Sequence, residues 1–184
     1  WGKWGAKLSK KEIIDRLHCC KDNAINTFDH ADIYGDYTTE LDFGNALAES
    51  GITRDCIKLI SKCGIQYIGE SRSYNRVKHY NYSKDYIVWS VEESLRNLKT
   101  DYLDLLLLHR PSPLMHPEVI AEAIAVLKKQ GKIKAFGVSN FTVSQIDLIS
   151  KFVEVSVNQI EFSLTQHKAM HNGVLDDMII KGCK

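Results

Sequence analysis

The sequence predicts a parallel α/β fold, and three observations support this class. Apolar strand segments alternate with amphipathic helices along most of the 184 residues. Residues 103–108 are apolar almost throughout, which is typical of a parallel strand covered on both faces. The predicted strands begin about 20–45 residues apart, which suits units of one strand and one helix. No linker or low-complexity segment interrupts this pattern, so we expect a single domain over residues 1–184.

The individual elements follow from local signals. Ser9 and Glu12 form a capping box at the start of the first helix, and Thr142 and Gln145 form another. Thr39 is expected to cap a helix that packs through Leu41, Phe43 and Leu47. Further helices are predicted from Ser83, over about 117–130 and over about 171–182. Strands are predicted over about 24–29, 57–61, 103–108, 134–138 and 153–159, with a long polar loop over about 65–81.

The composition excludes several classes of function. The chain carries 24 Lys and Arg against 23 Asp and Glu, a formal net charge of +1. This balance provides no large field to bind nucleic acid or an anionic membrane. The longest unbroken apolar run is five residues, 123–127, so no transmembrane helix is expected.

The cysteines indicate a reducing compartment. Five cysteines without regular spacing do not form a disulfide framework, and none belongs to a C-x-x-C pair that would suggest zinc. We therefore expect a cytoplasmic protein without a metal site. The chain opens at Trp1 with neither an initiator methionine nor an apolar signal segment, so we expect it to be trimmed at its start.

Polar side chains recur at the ends of the predicted strands. A parallel α/β chain can be an open doubly wound sheet or a (β/α)₈ barrel, and the G-x-G-x-x-G motif common in the open form is absent. The strand-end residues are Asp29 and the nearby Tyr34, then Lys62, His109, Ser139 with Asn140, and Gln159. In a barrel these ends share one face, where enzyme sites form. The pattern therefore predicts one shared pocket.

These residue types are chemically compatible. A tyrosine hydroxyl with a pKa of ~10 is a poor acid at neutral pH, and a nearby ammonium group lowers that pKa. An aspartate can hold the lysine charged and in place, and a neutral histidine can donate to the same substrate oxygen. Such a group can protonate a carbonyl oxygen as negative charge develops on it. No nucleophile with an evident base is present, which makes hydrolysis a weaker interpretation.

At these positions the chain resembles the aldo-keto reductases, most closely their bacterial oxidoreductases. Residues 26–35, NTFDHADIYG, resemble the signature segment of that family, and residues 107–111, LLHRP, resemble its histidine strand. Residues 137–141, GVSNF, and 158–161, NQIE, resemble two further motifs. Four motifs in the family's order are much more specific than one.

The resemblance implies a (β/α)₈ barrel that reduces aldehydes or ketones with NADPH. Asp29, Tyr34, Lys62 and His109 would then be the catalytic tetrad, with Tyr34 as the proton donor. Ser139, Asn140 and Gln159 would bind the nicotinamide carboxamide. The partner implied is a small-molecule carbonyl substrate, and the chain does not indicate an oligomeric state.

The chain departs from the family pattern at its ends. Five strands are clear, with residues 1–6 as a remnant of the family's first, and the seventh and eighth strands have no counterpart. Those strands would supply the aromatic stacking partner of the nicotinamide and the pocket for the 2′-phosphate. The alternative interpretation is therefore a non-catalytic nucleotide- or protein-binding module of the same fold, or an inactive fragment.

Other polar residues have plainer interpretations. His30 and Asp32 are expected to shape their loop, and Cys63 to pack on the face opposite Lys62. His167 and His171 are four residues apart, but the segment lacks the H-E-x-x-H motif. Residues 72–84 mix basic and aromatic side chains; we favour a lid or substrate-lining loop over a plain solvated loop, and both over single-stranded nucleic acid binding.

Overall fold

The computed structural model describes all 184 residues, from Trp1 to Lys184. Its strands form a five-stranded parallel sheet and a separate antiparallel pair. In chain order the strands are β1 (Thr27–Asp29), β2 (Lys58–Cys63), β3 (Ile65–Gln66), β4 (His79–Tyr80), β5 (Leu103–Leu108), β6 (Ile133–Ser139) and β7 (Val157–Gln159). The parallel sheet is ordered β1-β2-β5-β6-β7, and β3 pairs with β4.

Seven helices connect and cover these strands. They are α1 (Lys10–Asp22), α2 (Tyr34–Tyr37), α3 (Thr39–Glu49), α4 (Lys84–Leu98), α5 (Pro117–Lys129), α6 (Val143–Ser150) and α7 (Val174–Ile180), with short 3₁₀ turns at Arg54–Cys56 and Lys168–Met170. Both predicted capping boxes are present, at Ser9 and at Thr142. None of these helices has both the length and the apolarity needed to span a bilayer.

The order of the parallel strands distinguishes the two architectures that the sequence left open. Each strand pairs with the next parallel strand along the chain, from β1 to β7. A doubly wound sheet would reverse its order at a switch point, whereas a barrel winds in one direction. The five strands and their helices therefore form an incomplete (β/α)₈ barrel, which confirms the predicted fold class. Residues 3–6, expected to retain part of a strand, form turns instead.

The core lies between the sheet and the surrounding helices. Along β2, side chains point alternately into this core and toward the inside of the barrel. Leu59 and Cys63 are 0% and 1% exposed and belong to the main apolar cluster of 28 buried residues. Lys62 is one residue before Cys63, so it faces the inside of the barrel, because successive side chains of a strand point to opposite faces. The expected separation of Lys62 from Cys63 is therefore correct.

Two sequence predictions about α3 are wrong. Thr38, rather than Thr39, is the residue before the first helical turn, and its hydroxyl donates to the Gly35 carbonyl at 2.8 Å instead of capping the helix. Leu41 is 44% exposed, while Phe43 and Leu47 are buried as expected. The apolar stripe of α3 is thus narrower than the sequence pattern indicates.

Several boundaries also differ from the prediction. Strand β1 begins at Thr27, because Ala24, with a φ of 56°, belongs to the turn that follows α1. Strand β7 begins at Val157, because Val153 continues the turn that ends α6 by donating its amide to the Ile149 carbonyl at 3.1 Å. Helix α7 begins at Val174, after Gly173 takes a φ of 78° that breaks the helical path. The stretch predicted as a loop over about 65–81 contains the β3–β4 pair at its two ends.

Candidate active site

The carboxyl ends of the parallel strands carry the polar residues that the sequence predicts to meet. Cys63 pairs with Leu108, Leu108 with Val138, and Ser139 with Gln159, so neighbouring strands end at the same level. His109 follows directly, with its amide donating to the Cys63 carbonyl at 2.9 Å. The strand register thus brings the candidate side chains to one face of the half-barrel.

Lys62 is the centre of the arrangement. Its ammonium Nζ lies 2.6 and 2.7 Å from the two carboxylate oxygens of Asp29 and 2.9 Å from the His30 carbonyl oxygen. The Lys62 side chain is only 2% exposed, whereas that of Asp29 is 40% exposed. A buried ammonium is costly unless its N–H donors find acceptors, and these oxygens, together with the Tyr34 hydroxyl, surround it.

Tyr34 completes the group from the loop that follows β1. Its hydroxyl lies 3.4 Å from Lys62 Nζ, and its ring meets the His109 ring edge to face with centroids 5.8 Å apart. The structure therefore brings Asp29, Tyr34, Lys62 and His109 together, although they lie on three different strand ends. A phenol, an ammonium and an imidazole converging on one point can hold and protonate an oxygen atom.

His109 is buried and electrically neutral at ordinary pH. Burial lowers its pKa to about 4, with smaller contributions from the charges of Lys62 and Arg110. A neutral imidazole offers one N–H donor and one acceptor, and Nδ1 of His109 has no hydrogen-bond partner within the chain. The ring can therefore donate to a neutral or partly negative oxygen without bringing a second positive charge beside Lys62.

Ser139, Asn140 and Gln159 form an amide-rich rim next to this group. Asn140 has a φ of 57°, donates from Nδ2 to Ser139 Oγ at 3.2 Å, and accepts the Glu161 amide at 2.7 Å. Gln159 Nε2 donates to Asp29 Oδ2 at 3.2 Å. Gln159 thus contacts the predicted tetrad directly, and Asn140 is tied to Gln159 by its amide, which donates to the Gln159 carbonyl at 2.9 Å.

A buried polar network lies behind the Tyr34 loop. The sequence analysis predicted a structural role for one of its members, Asp32. Asp32 Oδ2 accepts from the Tyr86 hydroxyl at 3.0 Å and from the Ser90 hydroxyl at 3.1 Å. Burial raises the pKa of Asp32 to about 6. Asp32 therefore ties its loop to α4, which agrees with the shaping role expected for it.

Glu40 is a second buried carboxyl group of this region, and the sequence analysis missed it. It accepts from the Ser61 hydroxyl at 2.5 Å, and burial raises its pKa to about 7. Its position on α3 gives a partial signal, since a glutamate one residue after a helix start and in phase with buried Phe43 would face inward. Nothing in the sequence indicates its partner on β2.

Arg72 changes the interpretation of the 72–84 stretch. Its guanidinium carbon lies 3.6 Å from the centre of the Tyr37 ring and 4.8 Å from that of Trp89, and Nη1 donates to the Tyr86 hydroxyl at 3.2 Å. Arg72 is 8% exposed. A basic side chain enclosed in this way is not available to a nucleic acid and instead anchors its loop on the barrel.

An apolar cavity opens beside Asp29 and Tyr34 where β1 forms the edge of the sheet. Its volume is about 360 Å³, and Trp1, Phe28 and Phe43 supply most of its aromatic wall. Trp1 packs against both phenylalanine rings with centroids 6.4 Å apart. Trp1 therefore both packs against buried aromatic rings and lines the cavity.

A curled parallel sheet with reactive side chains at the carboxyl ends of its strands is the architecture of the (β/α)₈-barrel enzymes. The family model of the aldo/keto reductase family matches residues 1–179, and the chain belongs to that family. Relatives with similar sequences are named as oxidoreductases and reductases.

Three comparisons illustrate the relationship. The chain is 48% identical over 170 residues to the uncharacterized oxidoreductase YcsN of Bacillus subtilis, covering 91% of this chain and 57% of the relative. It is 39% identical over 181 residues to a 6-dehydroglucose reductase of Agrobacterium fabrum, covering 95% and 61%. The solved glycerol dehydrogenase of Gluconobacter oxydans superposes with a TM-score of 0.83 at 26% identity, covering 100% and 53%. The chain thus spans a little over half the length of these relatives.

Proposed function

We propose that the protein reduces small aldehydes or ketones to alcohols with NADPH, with Tyr34 as the proton donor. One observation carries the proposal: Lys62 Nζ lies between the Asp29 carboxylate, at 2.6 Å, and the Tyr34 hydroxyl, at 3.4 Å. Membership of the aldo/keto reductase family supports carbonyl reduction in general. The five free thiols support a cytoplasmic location.

Each residue of the proposed tetrad has a distinct task. Tyr34 transfers its hydroxyl proton to the carbonyl oxygen as that oxygen becomes negative. Lys62 stabilises the phenolate that remains, and Asp29 holds the ammonium in place through both carboxylate oxygens. His109 donates a hydrogen bond to the same oxygen from a neutral ring, which orients the carbonyl without adding charge.

The rim residues fit a nicotinamide carboxamide. A carboxamide presents both N–H donors and a carbonyl acceptor, and Ser139, Asn140 and Gln159 offer both kinds of group. The hydrogen bond from Gln159 to Asp29 supports a position next to the tetrad. When bound, NADPH would supply the hydride for the carbonyl carbon. The chain itself supplies the proton for the carbonyl oxygen. The preference for NADPH over NADH is part of the proposal.

The relatives suggest which carbonyl compounds to test first. One is named a 6-dehydroglucose reductase and another, solved structure is named a glycerol dehydrogenase. Both names refer to hydroxylated compounds. We therefore propose hydroxylated aldehydes and ketones as the first substrate panel, with simple aliphatic aldehydes for comparison.

The test is the substitution Tyr34→Phe, which keeps the ring and removes the hydroxyl. We expect kcat to fall by about 10²–10⁴-fold while the dissociation constant of NADPH changes little. Tyr74→Phe is the matched control, because the Tyr74 side chain is 68% exposed. Unchanged turnover in Tyr34→Phe would remove Tyr34 from the acid role. Tight NADPH binding without turnover on the whole panel would instead favour the non-catalytic module.

A further inference from the structure

A turn of left-handed backbone follows the proposed proton donor directly. Gly35, Asp36 and Tyr37 have φ values of 62°, 60° and 65°. Left-handed conformations are unfavourable for residues with a Cβ, and such residues normally occur singly. Two of the three residues here are not glycine, so this turn requires support from the surrounding structure.

The support comes from a distant loop, residues 67–75, which docks on the side chain of Asp36. Asp36 Oδ2 accepts the backbone amides of Glu70 and Ser71 at 3.1 and 3.3 Å and the Lys3 ammonium at 3.4 Å. The Asp36 carboxylate is 4% exposed. The approach is so close that a Cβ on Gly69 would lie 1.9 Å from Asp36 Oδ1.

The same loop also holds Tyr37, the last residue of the turn. The Tyr67 amide donates to the Tyr37 hydroxyl at 2.9 Å, and the Arg72 guanidinium stacks on the Tyr37 ring at 3.6 Å. Asn75 Nδ2 donates to the Tyr67 carbonyl at 3.1 Å and so closes the loop on itself. Loop 67–75 therefore fixes two consecutive residues of the strained turn.

We propose that Asp36 is a positioning residue whose carboxylate, held by loop 67–75, keeps the left-handed turn in place and thereby the Tyr34 hydroxyl at Lys62. The proposal rests on the function proposed above for Tyr34. It gives loop 67–75 a role in positioning the proton donor, in addition to the role as a lid or substrate-lining loop that the sequence favours for residues 72–84. The Tyr34 hydroxyl is 3.4 Å from Lys62 Nζ, so a small displacement of the turn would separate the two groups.

Three substitutions of Asp36 separate the effect of its carboxylate, which holds loop 67–75, from the effect of the backbone strain. Asp36→Asn keeps an acceptor oxygen and a residue that tolerates the left-handed region, so we expect kcat within about threefold of wild type. Asp36→Ala loses the acceptor and keeps a Cβ, and we expect kcat to fall about 10- to 100-fold with KM nearly unchanged. Asp36→Gly relieves the strain but also loses the acceptor, and we expect it to resemble Asp36→Ala.

A double-mutant cycle tests whether Asp36 acts through Tyr34. In a Tyr34→Phe background, Asp36→Ala should cause no further loss of kcat, because the group that it positions is gone. A loss that persists in that background would overturn the proposal, as would an Asp36→Gly variant with wild-type turnover or a change confined to KM. If Tyr34→Phe alone leaves turnover unchanged, the proposed function has failed, and this is distinguishable from a failure of Asp36 alone.

A readout without turnover tests the docking itself. Trypsin can cut after Arg72 only when the loop leaves the Tyr37 ring, so we expect faster cleavage in Asp36→Ala than in Asp36→Asn. Gly69→Ala, which crowds Asp36, should speed cleavage and lower kcat as well. Gly5→Ala is the matched control, since a Cβ there would lie no closer than 3.5 Å to its neighbours. Equal rates of cleavage after Arg72 in Asp36→Ala and wild type would overturn the proposal that Asp36 holds loop 67–75 in place.

Discussion

Asp29 and Asp32 lie on one short segment, yet their surroundings are opposite. Asp29 is an ion-pair partner of Lys62, and 40% of its side chain is exposed. Asp32 is 5% exposed and is bonded to two hydroxyl groups, those of Tyr86 and Ser90. The first arrangement keeps a charge next to a reactive group, whereas the second buries an acid in a network that anchors a loop.

Glu40 belongs with Asp32 in this comparison. Burial is the main reason that both have raised pKa values, about 6 for Asp32 and about 7 for Glu40. Perturbed acids are often candidates for catalysis, but here they lie behind the site rather than in it. The difference teaches that a perturbed pKa and a catalytic position are separate properties in this molecule.

The largest effect should come from removing the ion pair between Lys62 and Asp29. Lys62→Met removes the ammonium between Asp29 and Tyr34, and we expect kcat to fall by about 10²–10⁴-fold. The melting temperature should change little, because the partly exposed Asp29 carboxylate can be solvated by water. Steady-state kinetics and a thermal melt measure the two effects. Lys58→Met, at the exposed start of β2, is the control, and a loss of turnover in both variants would contradict the assignment.

The next largest effect is on the free energy of unfolding, which is lowered when the buried Glu40 carboxyl group becomes charged. A folded-state pKa of about 7, above the ordinary 4.5, means that the folded protein binds this proton more tightly than the unfolded chain. The Glu40 contribution to the free energy of unfolding therefore falls as the pH rises through about 5–7. Glu40→Gln removes this cost, so we expect the variant to be about 2–3 kcal/mol more stable than wild type at pH 8.

The comparison with wild type is needed because other groups titrate in the same range. Burial lowers the pKa values of His30 and His109 to about 4, so their contributions to stability rise with pH and oppose that of Glu40. The histidines cancel when Glu40→Gln and wild type are compared at each pH. The advantage of the variant should shrink as the pH falls toward 5. An advantage that is the same at pH 5 and pH 8 would contradict the buried charge.

The smallest effect should come from Asp32. Asp32→Ala leaves the buried hydroxyls of Tyr86 and Ser90 without their acceptor, and we expect a loss of about 1–2 kcal/mol in unfolding free energy at pH 5. Asp32→Asn keeps an acceptor oxygen and should lose less. Urea unfolding measures both variants. If Asp32→Ala lowered kcat as strongly as Lys62→Met without a loss of stability, the distinction between the two aspartates would be wrong.

Much of the candidate site could be predicted because parallel strands end at a common face. The positions of Lys62, His109 and Ser139 follow from apolar strand segments that stop at a polar residue. The barrel class followed from the motif order and is confirmed by the sequential strand order. Both capping boxes were predictable since they depend on side chains only three residues apart.

What the sequence could not predict involves contacts between distant segments. The left-handed turn at residues 35–37 is held by loop 67–75, and no local pattern indicates three residues with positive φ. Arg72 belongs to the stretch expected to form a lid or substrate-lining loop, yet its side chain is buried against Tyr37 and Trp89. The last strand was predicted, but its predicted start at Val153 was wrong because the turn that ends α6 continues through that residue.

The sequence by itself determined the alternation of strands and helices, the capped helix starts and the reactive residue at each strand end. These depend on side-chain periodicity and on bonds between near neighbours, which are properties of the chain order. Only the tertiary structure decided which acids are buried and which hydroxyl or amide groups bond to them. Burial and hydrogen bonding depend on what packs around a side chain, and for Asp32, Asp36 and Glu40 those partners lie up to 58 residues away.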